Sequence, residues 1–227
     1  MLGLHGNYLP AKGLLNILAI YLFVMVLLAV TSPDKDAQAE SILGSDRQYV
    51  HAYFGQMSNF SLAKAVSFQD WNKFGEALPS FMIAVGGGLD YYFCDKILSL
   101  GVEVDYASHW GKNDIYTGEV AVAVMGRLNA NEISKYIPFY IGVGNGLSYA
   151  IGIPRAERRY GYGISPSGRE MKDPLLNFLI LEFGIPIADH FELFARIHHR
   201  CTMFGLFDPN GKKGGVNYPS VGIRYYF

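Results

Sequence analysis

Toward its C-terminal end the chain reads Phe191-Glu-Leu-Phe-Ala-Arg-Ile-His-His-Arg-Cys201, and a little further on it reaches Asn217. A cysteine thiolate is a nucleophile, an imidazole beside it can take the thiol proton, and a carboxamide can hold that imidazole in one tautomer. Cys201, His199 and Asn217 therefore carry the residue types needed to attack a carbonyl carbon, provided the backbone brings them to one surface. The alternation of the segment meets that condition. In an extended strand Leu193, Ala195, Ile197, His199 and Cys201 share one face, and Glu192, Phe194, Arg196, His198 and Arg200 share the other. His198 thus belongs with the charged face and is expected to pack rather than react. A metal site built from His198, His199 and Cys201 is not expected, because neighbouring strand residues point to opposite sides.

Period-two runs of about ten residues recur along the chain, separated by turn residues, as in a transmembrane barrel. Strands are expected near 48–57, 80–93, 97–109, 116–128, 137–150, 175–186, 191–203 and 216–227. In the third run Leu98, Leu100, Val102, Val104 and Tyr106 oppose Ser99, Gly101, Glu103 and Asp105. In the fourth, Val120, Val122 and Val124 oppose Glu119, Ala121, Ala123 and Arg127, and in the fifth, Phe139, Ile141, Val143, Leu147 and Tyr149 oppose Gly142, Gly144, Gly146 and Ser148. One face is large and apolar; the other is small or charged. That is the pattern of a narrow barrel whose wall meets lipid and whose lumen is filled by its own side chains. Glu103, Asp105, Glu119, Glu192, Arg196 and Arg224 should then form an interior charge network. The sixth run is ambiguous, since Asn177 shares a face with Leu175, Leu179 and Leu181.

Composition agrees. Of 227 residues, 50% are hydrophobic and 17% charged, with 26 glycines, 16 tyrosines and 15 phenylalanines. A net charge of −1 leaves no basic surplus for a nucleic-acid backbone. The mean hydropathy of +0.14 is too low for a polytopic helical membrane protein and too high for a disordered chain. Two cysteines, Cys94 and Cys201, are too few for a disulfide scaffold. Gly86-Gly87-Gly88 lies within a strand and lacks the lysine of a phosphate-binding loop.

Leu14 to Val30 is the one long apolar run, preceded by Lys12 and followed by Ala37-Gln38-Ala39. A basic start, an apolar core and a small-x-small end are expected of a secretory signal peptide over 1–39, leaving 40–227 as an all-β, eight-stranded antiparallel transmembrane barrel. With both barrel termini periplasmic, segments 58–79, 110–115, 151–174 and 204–215 become outer loops, and turns 94–96, 129–136 and 187–190 periplasmic. Aromatics gather near the strand ends (Tyr91, Tyr92 and Phe93; Tyr106; Tyr136 and Phe139; Tyr225 and Tyr226), as interfacial girdles do. Face parity puts His199 and Cys201 toward lipid near the outer end of the seventh strand. Asn217, on the eighth, shares a face with Val221, Ile223, Tyr225 and Phe227 and so joins them.

At these residues the sequence resembles the lipid A 3-O-deacylase (PagL) family of outer-membrane barrels. The resemblance rests on Arg196-Ile-His-His-Arg-Cys-Thr-Met-Phe-Gly205, on Gly214-Gly-Val-Asn217 and on the closing Gly222-Ile-Arg-Tyr-Tyr-Phe227. It covers about 30 residues closely and the eight-strand layout loosely. By resemblance, His199 takes the family's base position and Cys201 its nucleophile position, where the family has Ser. Thr202 stands where the family has an Asn of the oxyanion hole. No Glu follows Cys201; Asp208 is the sole later carboxylate, so the third role falls to Asn217 or is vacant. The implied activity is removal of an ester-linked acyl chain from lipid A in the outer leaflet, with no cofactor. The terminal aromatic strand resembles the signal read by the barrel-assembly machinery. The competing expectation is a structural or adhesion barrel that acts through its outer loops without catalysis.

Overall fold

The computed structural model describes residues 46–58, 77–111, 114–133, 136, 138–153, 173–203 and 214–227. The expected signal peptide, Asp208 and most of the loop segments lie outside these residues. Eight strands follow one another as an antiparallel meander: β1 (Asp46–Ser58), β2 (Ala77–Phe93), β3 (Leu98–Gly111), β4 (Asp114–Asn129), β5 (Tyr140–Ala150), β6 (Leu175–Ala188), β7 (Phe191–Cys201) and β8 (Gly215–Tyr226). A single helical turn, α1 (Ala130–Ile133), separates β4 from β5. The sheet closes on itself: β8 pairs with β1 from Tyr49↔Tyr226 to Ser58↔Asn217. Closure removes both sheet edges, so every strand finds its backbone partners within the sheet, as a lipid surround demands.

The side chains follow the alternation, inside out. Val124 is 53% exposed and Val221 64%, while Arg200 and Arg224 are fully buried. Carboxylates, guanidiniums and tyrosines fill the lumen, and aliphatic and aromatic side chains cover the wall. An even-stranded, closed barrel with a charged interior and an apolar wall is a transmembrane β-barrel of the outer-membrane type.

The lumen is larger in residue size than the sequence suggested. Tyr49, Tyr53, Tyr140 and Tyr218, with Met82, Met125 and Phe178, are all inside. Inward glycines on β2 make room for them. A Cβ on Gly88 would collide with the Tyr49 ring, and one on Gly86 with His51 and Asp105. Two of the aromatics expected in the girdles are also inside: Tyr92 and Tyr226 are buried, and Tyr226 Oη donates to Glu192 Oε2 at 3.2 Å. Parity decides this, since Tyr91, Phe93 and Tyr225 alternate with them.

Every strand contributes at least one member to a central polar network. Arg127 (β4) donates to Asp90 (β2) at 2.5 Å, to Tyr49 (β1) at 3.1 Å and to Glu182 (β6) at 3.3 Å. Arg196 (β7) donates to Glu103 (β3) at 2.6 Å and also to Glu182. Arg224 (β8) donates to Glu182 at 2.8 Å and to Tyr140 (β5) at 2.6 Å. These bonds plug the middle of the barrel with neutralised charge. A second cluster nearer the loop end surrounds Glu119, which accepts from Ser148 at 2.5 Å and lies 2.8 Å from His109 and 3.0 Å from His198.

Candidate active site on the barrel wall

The connections β1–β2, β3–β4, β5–β6 and β7–β8, all long except β3–β4, lie at one end of the barrel, and β2–β3, β4–β5 and β6–β7 at the other. The long-loop end is extracellular in barrels of this kind. Near that end a row of polar side chains interrupts the apolar wall. Ladder pairing sets it out: Cys201 faces Asn177 on β6, His199 faces Asn217 on β8, and Asn217 faces Ser58 across the closure with β1. Directly opposed residues share a face and bring their Cβ atoms within about 5.5 Å. A period-two sequence thus needs only correct register to gather the group.

His199 Nδ1 lies 2.7 Å from Asn217 Oδ1. An acceptor oxygen there places the ring proton on Nδ1 and leaves the lone pair on Nε2, the form a general base requires. Asn217 is 4% exposed although it belongs to the outer face, so its amide is shielded at the site. Gly215, opposite Cys201, lets the imidazole and the thiol-bearing side chain approach: a Cβ there would lie 2.8 Å from His199 Cε1 and 2.9 Å from Cys201 Cβ. The thiol turns toward β6, where Sγ donates to Asn177 Oδ1 at 3.7 Å. The structure therefore joins His199 to Asn217, and joins Cys201 to an amide that sequence reasoning did not assign to the site. The signal for Asn177 was present, as a carboxamide alternating with leucines on what proves to be the lipid face.

Thr202 is buried, and its Oγ1 clamps the base of the β7–β8 loop, accepting from Gly214 N at 2.9 Å and donating to Gly214 O at 3.3 Å. His198 is inside, as parity requires, with Nδ1 3.0 Å from Tyr53 Oη. Cys94 sits exposed in the β2–β3 turn at the far end of the barrel; it and Cys201 are both free. Among the described residues one group has metal-ligand spacing: His51, Glu103 and Asp105 in the lumen. Its carboxylates already bind Arg196, and His51 Nε2 lies 2.6 Å from Asp105, so its charges are balanced from within.

Below the polar row the wall opens into a groove of about 530 Å³, lined by Phe54, Phe183, Ala195, Ile197, Pro219 and Val221 among others. Ile197 and Pro219 are the next outward positions beneath His199 and Asn217 and face each other across β7 and β8. The small Ala195 lies under Phe183 and Val221, its ladder partners, and leaves the depression between larger neighbours.

Fold and wall define the class: an eight-stranded transmembrane β-barrel with a polar row on its lipid face. No protein-family model matches the chain, and no curated protein matches it. Solved structures similar to it include Neisserial surface protein A (14% identity, TM-score 0.45, covering 79% of this chain and 97% of that one). They also include the outer membrane enzyme PagL (14% identity, TM-score 0.49, 78% and 98%). A third is the N-terminal β-barrel domain of Pseudomonas aeruginosa OprF (10% identity, TM-score 0.40, 82% and 99%). These likenesses carry no activity across to this chain.

Proposed function

We propose that this chain is a bacterial outer-membrane hydrolase that removes an ester-linked acyl chain from lipid A in the outer leaflet. The observation that supports it most is the polar row itself. An imidazole held by Asn217 and a thiol share a lipid-facing surface, directly above an apolar groove of the kind an acyl chain fills. Ionisable groups on a lipid face cost free energy and mark functional positions.

Rotation about the Cys201 side chain brings Sγ from Asn177 toward His199. Nε2 takes the thiol proton, and the thiolate attacks the ester carbonyl carbon. The tetrahedral intermediate collapses to a thioester and an alcohol, and the imidazolium returns its proton to the departing oxygen. Water, deprotonated by Nε2, then cleaves the thioester, releasing the fatty acid and restoring the thiol. Lateral diffusion delivers the lipid to the wall, and the terminal Phe227 strand is suited to recognition by the barrel-assembly machinery.

The test is mass spectrometry of lipid A incubated with the protein folded in vesicles. Loss of one acyl chain by wild type and not by Cys201→Ala supports the proposal. No loss by wild type overturns it in favour of a structural or adhesion barrel, a reading that the thiol's turn toward Asn177 favours.

A further inference from the structure

The polar row extends one strand beyond the groups used above. Asn177 Nδ2 donates to Asn145 Oδ1 on β5 at 3.2 Å and to Gly146 O at 3.0 Å. Asn145 Nδ2 returns a longer bond to Asn177 Oδ1 at 3.5 Å. The two carboxamides thus face each other in reciprocal fashion, with the Cys201 thiol on the far side of the pair. Asn145 is exposed, while the other outward residues of β5 are Ile141, Val143, Leu147 and Tyr149. A primary amide has two N–H groups, and among the described residues only one of them on Asn145 finds an acceptor. The second finds no acceptor among the described residues, and it belongs to an exposed side chain of the lipid-facing wall, where an unmatched donor is unfavourable.

We infer that Asn145, braced by Asn177, is a second lipid-binding position that donates a hydrogen bond to the carbonyl oxygen of a neighbouring acyl chain on the same lipid. Acyl carbonyls are the acceptors that lie between hydrocarbon and headgroup. β5 and β7 are two strands apart, about 10 Å across the sheet, a spacing suited to two acyl linkages on one headgroup. In combination with the deacylase reading, on which this part rests, the substrate class becomes lipids acylated at adjacent positions rather than single-chain esters.

Binding is measured by native mass spectrometry in the Cys201→Ala background, which prevents turnover, using a two-chain ester lipid and its single-chain counterpart. Asn145→Leu should weaken retention of the two-chain lipid about three- to tenfold, the range of one net hydrogen bond, and leave the single-chain lipid unchanged. Asn145→Gln should restore part of the difference. Equal weakening for both lipids, or none for either, overturns the inference. Selective weakening in a protein whose wild type cleaves no ester refutes the deacylase reading and leaves the subsite standing. Cleavage by wild type with no effect of Asn145→Leu on two-chain binding does the reverse.

Discussion

His198 and His199 are adjacent in sequence and opposite in surroundings, so replacing each with Phe should separate stability from chemistry. His198 is fully buried, with Nε2 3.0 Å from Glu119 Oε1 and Nδ1 3.0 Å from Tyr53 Oη. Losing a hydrogen bond to a charged group costs about 1.5–3 kcal/mol and a neutral one about 1 kcal/mol, for a total of roughly 3 kcal/mol. Glu119 keeps Ser148 and His109, and the Phe178 ring tilted against His198 accepts another aromatic, so the barrel survives. A domain stability of about 5–15 kcal/mol absorbs that loss. His199 loses neutral bonds to the Asn217 side chain and the Val216 backbone, at a partly lipid-facing position, worth about 1–2 kcal/mol together. Its activity should fall by about 10²–10⁴, the usual contribution of a general base. Urea unfolding of vesicle-embedded protein reads the first quantity, and mass spectrometry of released fatty acid the second. Comparable activity losses from two folded variants, or a larger stability loss from His199→Phe than from His198→Phe, would refute this division of the strand.

Cys201→Ala should abolish deacylation, whereas Cys201→Ser should retain a measurable rate because a hydroxyl can still pass its proton to His199; loss of lipid A acyl chains over time distinguishes them. Gly215→Ala puts a methyl group against both His199 and Cys201 and should lower the rate about a hundredfold through misplacement, with little change in the unfolding midpoint. Arg196→Met strips Glu103 and Glu182 of a shared cation and should cost about 3–5 kcal/mol in urea unfolding, against at most about 1 kcal/mol for the half-buried Arg47→Met.

The strands and their faces were legible in the sequence because period two is a local property. Val120, Val122 and Val124 declare one side of β4 without reference to any neighbour. Register is not local, and it decides the rest. Nothing in the β6 sequence says that Asn177 lies opposite Cys201, so that strand read as ambiguous until the ladder paired them. His199 and Asn217 could be brought together in thought because β7 and β8 are consecutive and parity puts both residues on the outer face at the same end of the barrel. The lumen was misjudged for a different reason. Glycine on β2 reads as a weak strand former, yet Gly88 exists to receive Tyr49 from the next strand, a fact that appears only when β1 and β2 are side by side.

The central network has a consequence for how the barrel comes into being. Its members come from all eight strands, and Glu182 alone is held by Arg127, Arg196 and Arg224 from three others. Some hairpins hold a neutral pair, Glu182 with Arg196 across β6 and β7 and Glu192 with Arg224 across β7 and β8. Yet β7 with β8 as a whole carries Arg196, Arg200 and Arg224 against Glu192, and β2 with β3 carries Asp90, Glu103 and Asp105 with no buried arginine. Either of these last two hairpins entering the membrane alone would drag unbalanced charge into hydrocarbon. Assembly is therefore driven toward concerted closure, with the ends of the sheet meeting before water leaves the interior. Intermediates should be scarce, and the folded state should appear nearly all at once.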